Sequence, residues 1–249
     1  GQMPAELLVA LRRFWGWTDE QVLAYARQKR DAHNRAMALI ILTPWLSNDR
    51  QREIYQEALR VVEGLTFESQ RTEPLIALAP YLPMAVYKAA RMLRDEQQRA
   101  EVLAALASHL PNEVYGEVGA LGVERPRAQV WAALAPHLPE AAYQLAGTIA
   151  SEWNRADILS ELAPYMPEAV RKAASGLEQG GPGAKVWAAL APYLPEVVYE
   201  TAGTLGEEWQ QAQVLIALAP YQPEAVYEAA KMLANERQRA KIMVALAPH

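Results

Sequence analysis

Buried-type positions return along this chain at a fixed step. Val86, Val114, Ala142, Val170, Val198 and Val226 stand 28 residues apart, as do Leu106, Leu134, Leu162, Leu190, Leu218 and Leu246. Around them the phrase Leu-Ala-Pro-Tyr-Leu-Pro recurs with variation, its last proline falling at Pro83, Pro111, Pro139, Pro167, Pro195 and Pro223. Each period predicts two helices. In one copy helix A covers Pro83–Leu93, a junction follows at Arg94-Asp95-Glu96, and helix B covers Gln97–Leu106. Proline at the start of helix A suits a first turn whose N–H groups have no partner within the helix. The proline before it, as at Pro80, Pro136 and Pro220, predicts the end of helix B, because its ring clashes with the preceding turn and supplies no N–H. Asp95, Ser151 and Asn235 are expected to cap helix B, with the glutamate that follows them near the positive end of its dipole.

A hairpin this short cannot bury its own apolar face, so its stability must come from stacking on its neighbours. Ala100, Ala128, Ala156, Ala184, Ala212 and Ala240 keep one helix B position small, which lets adjacent helices approach to about 8–10 Å. The pattern predicts an all-α fold, an α-solenoid of stacked helical hairpins with a 28-residue repeat, roughly eight hairpins in all. We expect residues 1–249 to form a single solenoid domain, with 1–17 as an N-terminal capping helix, 18–79 as two irregular repeats and 80–247 as six regular ones. Arg35-Ala36 with Leu42, and Arg71-Thr72-Glu73-Pro74-Leu75, carry the repeat into the irregular part. The repeat holding Tyr55 is expected to bear short insertions near Ser47–Glu53 and Gly64–Glu68. A second period of 56 residues links Trp131 to Trp187, Trp153 to Trp209, Gly147 to Gly203 and Pro126 to Pro182, as if a pair of hairpins had been duplicated.

Charge narrows the partners. With 24 Lys+Arg against 29 Asp+Glu the net charge is -5, and such a field repels a polyphosphate backbone. Nucleic acid is disfavoured. The absence of cysteine excludes a disulfide framework, thiolate metal sites and a cysteine nucleophile, and a cytoplasmic location is the expectation. No charged segment followed by an apolar core and a small-residue cleavage site opens the chain, so a signal peptide is not expected. The longest apolar stretch, Ala36 to Leu46, contains Pro44 and is too short to span a bilayer, so no membrane association is expected.

The cluster Gly180-Gly181-Pro182-Gly183 lacks the lysine of a phosphate-binding loop and is expected to be a loop between helices. Hydrolase and zinc-protease motifs do not occur. His109 and His137 share a column with Tyr81, Tyr165, Tyr193 and Tyr221. Being one repeat apart, roughly 9–10 Å, they are too distant to share a metal held about 2 Å from each ligand. No metal, cofactor or catalytic residue is expected. The Tyr/His column reads as packing against the Leu-Pro turn rather than as a recognition stripe. Tyr87, Tyr115, Tyr143, Tyr199 and Tyr227 read as structural, Arg171 breaking their column. Arg35, Arg71, Arg99, Arg127, Arg155 and Arg239 form a ladder, interrupted by Gly183 and Gln211, in which most members follow a glutamate by three residues; intrahelical pairing is the expected role.

Residues that break their column point to function. Where helix B begins the repeats carry His33, Ser69, Gln97, Arg125, Trp153, Gly181, Trp209 and Arg237. In so polar a column Trp153 and Trp209 are candidate exposed anchors, of the residue type enriched at interface hot spots, with Arg125 and Arg237 beside them. The opposing reading folds each indole over the neighbouring loop. Trp131 and Trp187 replace leucines and read as core. Gly119, Gly147, Ser175 and Gly203 replace Arg91 and Lys231 in the expected middle of helix A, which suggests close packing or a groove that admits a ligand. Trp153, Trp209, Arg125, Arg237, Gly147 and Gly203 are the candidate partner-binding residues, and residues 115–210 the candidate region.

Through its Leu-Ala-Pro-Tyr-Leu-Pro-Glu and Asp-Glu-x-x-Arg-Ala phrases the chain resembles the short TPR- and HEAT-like helical-hairpin arrays of bacterial multidomain proteins. Some of those are attached to STAND or NACHT-type NTPases or to caspase-like effectors. The resemblance implies a non-catalytic protein- or peptide-binding scaffold or sensor module within a larger bacterial protein. The alternatives are an RNA-binding helical repeat, which would show a steep salt dependence, and a solenoid enzyme without a recognisable motif. The last copy of the motif breaks off at His249, from which we expect either a longer array or self-association through the C-terminal end.

Overall fold

The computed structural model describes residues 3–177 and 180–249. Among these residues the chain is all-α, with seventeen α-helices and no strand. Two compact units are formed, residues 1–126 and 127–249. The first contains α1 (Ala5–Phe14), α2 (Asp19–Arg27), α3 (Ala32–Leu42), α4 (Asn48–Glu63), α5 (Ser69–Leu78), α6 (Pro83–Ala90), α7 (Glu96–Leu106), α8 (Pro111–Val118) and the opening residues of α9 (Glu124–Leu134). The second contains the rest of α9, then α10 (Pro139–Ala146), α11 (Glu152–Leu162), α12 (Pro167–Ala174), α13 (Gly181–Leu190), α14 (Pro195–Ala202), α15 (Glu208–Leu218), α16 (Pro223–Met232) and α17 (Glu236–Leu246).

Within each unit the hairpins stack as a solenoid requires. In the first, helices α3, α5 and α7 pack side by side; in the second, α11, α13, α15 and α17 do so. The intervening A helices lie against this row, α12 touching both α11 and α13, and α14 touching both α13 and α15. The valine and leucine columns form the interior: Val170, Val198 and Val226, with Leu162, Leu190 and Leu218, are wholly buried, each worth about 1.5–3 kcal/mol of transfer free energy. Ala240 and Leu246 depart from their columns, Ala240 being exposed and Leu246 half-buried. Both lie on α17, which has no helix packed on its outer face.

Side-chain caps stand where the sequence places them. Asp95 accepts from the Gln98 N–H at 2.9 Å, Ser151 from Asn154 at 3.4 Å, and Asn235 from Arg237 and Gln238 at 3.0 and 3.2 Å. Helix A is shorter than its sequence suggests, α6 ending at Ala90 rather than Leu93. Beyond it the chain tightens into three-residue turns, Met92 donating to Ala89 and Leu93 to Ala90, which carry Leu93 into the core at 2% exposure. The expected insertion at Ser47–Glu53 is no loop. From Asn48 onward it is helical and lengthens α4. The expected glycine loop is likewise helical from Gly181 onward, and Gly181, Pro182 and Gly183 form the buried first turn of α13. No described helix is long and apolar enough to cross a membrane.

Candidate functional site

Two side-chain columns tie successive hairpins together. The glutamate that opens helix B accepts from two backbone N–H groups in the following hairpin: Glu68 from Arg94 and Asp95, Glu96 from Gly122 and Val123, Glu208 from Ala234 and Asn235. These bonds, from Val123 and then Gly122, hold the Glu96 carboxyl below its ordinary 4.5. The helix A tyrosine also reaches forward. Tyr143 donates to the Ala169 carbonyl at 3.2 Å and Tyr199 to Ala225 at 3.3 Å, while Tyr87 donates to the Glu117 carboxylate at 3.1 Å. Burial and that carboxylate raise the Tyr87 pKa.

The arginine ladder acts mainly within the hairpin, on carbonyls more than on the expected glutamates, while Arg99 also donates Nη2 to the Ala120 carbonyl of the next hairpin at 3.5 Å. Arg71 and Arg155 donate Nε to the carbonyls of Leu65 and Ile149, six residues back, at 2.9 and 3.2 Å. Gln211 makes the same link to Leu205 at 2.8 Å. The expected pairs with glutamate are loose, 3.8 Å for both Arg99–Glu96 and Arg239–Glu236. A guanidinium beside helix-end carbonyls satisfies acceptors that the helix itself leaves open.

One hairpin lacks a member of every column. Between residues 164 and 191, Arg171 stands for the tyrosine, Gly180 for the glutamate and Gly183 for the arginine. The space is used differently here. A Cβ on Gly181 would lie 2.6 Å from Cη2 and 2.8 Å from Cζ2 of Trp153, and 3.1 Å from Cη2 of Trp209. The two indoles therefore reach from α11 and α15 to the same point on α13, each lying against backbone that only glycine leaves uncovered. They remain 56% and 44% exposed. Each covers the adjoining hairpin, and each presents a face to solvent. Trp131 and Trp187 lie in the core at 5% and 6% exposure.

The other candidates are placed less tightly. Arg237 is exposed on α17 in the second unit, and Arg125 is exposed in the first. Gly147 and Gly203 are not mid-helix. They follow the last residues of α10 and α14 with φ of -64° and -67°, because helix A ends early. Gly119, in the first unit, has open space where a Cβ would go, and at Gly147 and Gly203 a Cβ would meet only carbonyls of the same turn, at 3.4 and 3.7 Å. Close packing is therefore not their role. They do border shallow cavities between consecutive A helices, Gly147 one of about 370 Å³ between α10 and α12, and Gly203 one of about 480 Å³ between α14 and α16.

The rings of the Tyr/His column are partly open to solvent. In the second unit Tyr165, Tyr193 and Tyr221 are 49%, 43% and 47% exposed, and His137 is exposed with them. In the first unit Tyr81 stacks on Tyr55 with ring centroids 4.0 Å apart. Among the described residues no three His, Asp or Glu side chains converge as metal ligands would. The chain matches no protein-family model, no curated protein and no solved structure, so the reading of its surface rests on its own residues.

Proposed function

We propose that this chain is a non-catalytic repeat module that binds a protein or peptide, as a scaffold or sensor array of the kind that helical hairpins provide in bacterial multidomain proteins. The observation that carries the reading is the Trp153–Gly181–Trp209 arrangement, two half-exposed indoles held over one glycine. Tryptophan exposed at this cost in apolar surface is the residue type that dominates binding hot spots, and its rigid ring loses little entropy when a partner covers it. The first turn of α13 fixes both rings, so the platform is preorganised.

Selection from a random-peptide display library tests this. The wild-type chain is expected to enrich a defined set of sequences, and Trp153→Ala with Trp209→Ala to lose it while keeping the helical circular-dichroism signal. Equal enrichment by the double variant would remove the platform from the function.

A further inference from the structure

The hairpin that seats the two tryptophans also borders a cavity of about 270 Å³ between α12 and α14, lined in part by Trp187. Its lining differs from that of the equivalent cavities, which hold Tyr143 with Arg155 between α10 and α12 and Tyr199 with Gln211 between α14 and α16. Where α10 and α14 send a tyrosine to the following A helix, α12 carries Arg171; where α11 sends an arginine to its own turn, α13 has Gly183. Arg171 lines the cavity together with Gly183 and the hydroxyl-bearing Ser175, Thr201 and Thr204.

Arg171 donates Nε to Glu168 at 2.8 Å on the same helix, an exposed pair of the kind that contributes little. Its two terminal nitrogens have no partner among the described residues. They form the fork that matches a carboxylate in a bidentate pair. The three hydroxyls donate to carbonyls of their own helices or turns at 3.1, 2.8 and 2.8 Å, and a hydroxyl hydrogen can turn to an arriving acceptor. Arg171 is the one charged residue among the described lining. The volume falls below the range of roughly 300–1,000 Å³ usual for small-molecule sites, which suits a single side chain.

We propose that this cavity receives the carboxylate side chain of an acidic residue in the bound peptide, Arg171 being its anchor. The inference rests on the peptide-binding reading and deepens it. Gly181 under the indoles and Gly183 in the cavity wall stand two residues apart on α13 and face different sides of it, so the cavity is a second contact for the peptide, separate from the platform.

The test titrates the full chain with N-acetyl-glutamate amide and, separately, N-acetyl-glutamine amide, following the Arg171 Nε–H and the Thr201 and Thr204 amides by NMR. The glutamate probe is expected to shift these signals and the glutamine probe to leave them. Arg171→Tyr restores the residue that other hairpins carry, so the variant should fold. It should weaken the glutamate probe about tenfold or more, the loss expected for one charge-assisted hydrogen bond. Equal response to both probes, or binding unchanged in this variant, overturns the proposal. The probe has no aromatic anchor, so Trp153→Ala with Trp209→Ala should leave its binding intact. A silent glutamate probe alongside tryptophan-dependent peptide selection would remove the carboxylate site alone, and the converse result the platform alone.

Discussion

Cη2 of Trp153 lies 2.6 Å from the point where a Cβ on Gly181 would stand, closer than the indole could tolerate. Gly181→Ala must therefore move Trp153. Alanine also favours the helix by up to about 1 kcal/mol over glycine, so overall stability is expected to change little while the platform opens. In protein labelled with 5-fluorotryptophan, the fluorine signals of Trp153 and Trp209 should shift and those of Trp131 and Trp187 should stay. Unmoved Trp153 would mean that the glycine does not seat it.

The forward tyrosine link can be removed or supplied. Tyr199→Phe deletes the bond to the Ala225 carbonyl and is expected to cost about 0.5–1.5 kcal/mol. Arg171→Tyr can reach the Val197 carbonyl at the equivalent spacing, but that oxygen already accepts from the Thr201 hydroxyl at 2.8 Å, so the gain should be smaller. Urea denaturation of the two variants measures both signs, and a destabilised Arg171→Tyr would contradict the equivalence of the columns.

Gln210 stands next to Trp209 and is 97% buried, its Oε1 without a hydrogen-bond partner. Burying an acceptor unpaired costs about 1–3 kcal/mol. Gln210→Leu, similar in volume and apolar, is expected to raise the urea midpoint, and a lowered midpoint would show that the amide contributes more through its other atoms.

Acid should loosen the ties made by glutamate. Glu96 has a folded pKa below its ordinary 4.5 because Val123 and Gly122 donate to the carboxylate. A depressed pKa adds stability above pH 4.5 that is lost as the pH falls through the folded value. The melting temperature of the wild type should therefore drop below pH 4.5 more steeply than that of Glu96→Gln. Parallel curves would assign the acid sensitivity to other groups.

Much of this architecture was legible before any coordinates. The valine and leucine columns, the helix-starting prolines and the caps Asp95, Ser151 and Asn235 are local signals with local causes, and each lies where its spacing implies. What escaped was set across space. Helix A ends early because Leu93 must turn inward, a demand made by the neighbouring helices rather than by residues 91–93. The glycine cluster reads as a loop by composition, yet Gly181 and Gly183 are helical because α11 and α15 crowd that turn. A signal for the platform was present all the same: Trp153, Gly181 and Trp209 occupy one column at successive repeats, large, absent, large. The openness of Tyr165, Tyr193 and Tyr221 had no such signature, since a tyrosine column looks the same whether its rings lie flat or stand out.

The glutamate and tyrosine ties share a direction, since Glu68, Glu96, Glu208, Tyr143 and Tyr199 all bond residues 26 or 27 positions later. A hairpin that carries these residues braces its successor, whereas the one with Arg171 and Gly180 offers neither tie. Deleting a hairpin from the late side leaves its former neighbour with an idle carboxylate in water, whereas deleting one from the early side strips the next loop of the acceptor for its amides. The array has a grain, and fraying should travel along it more easily one way than the other.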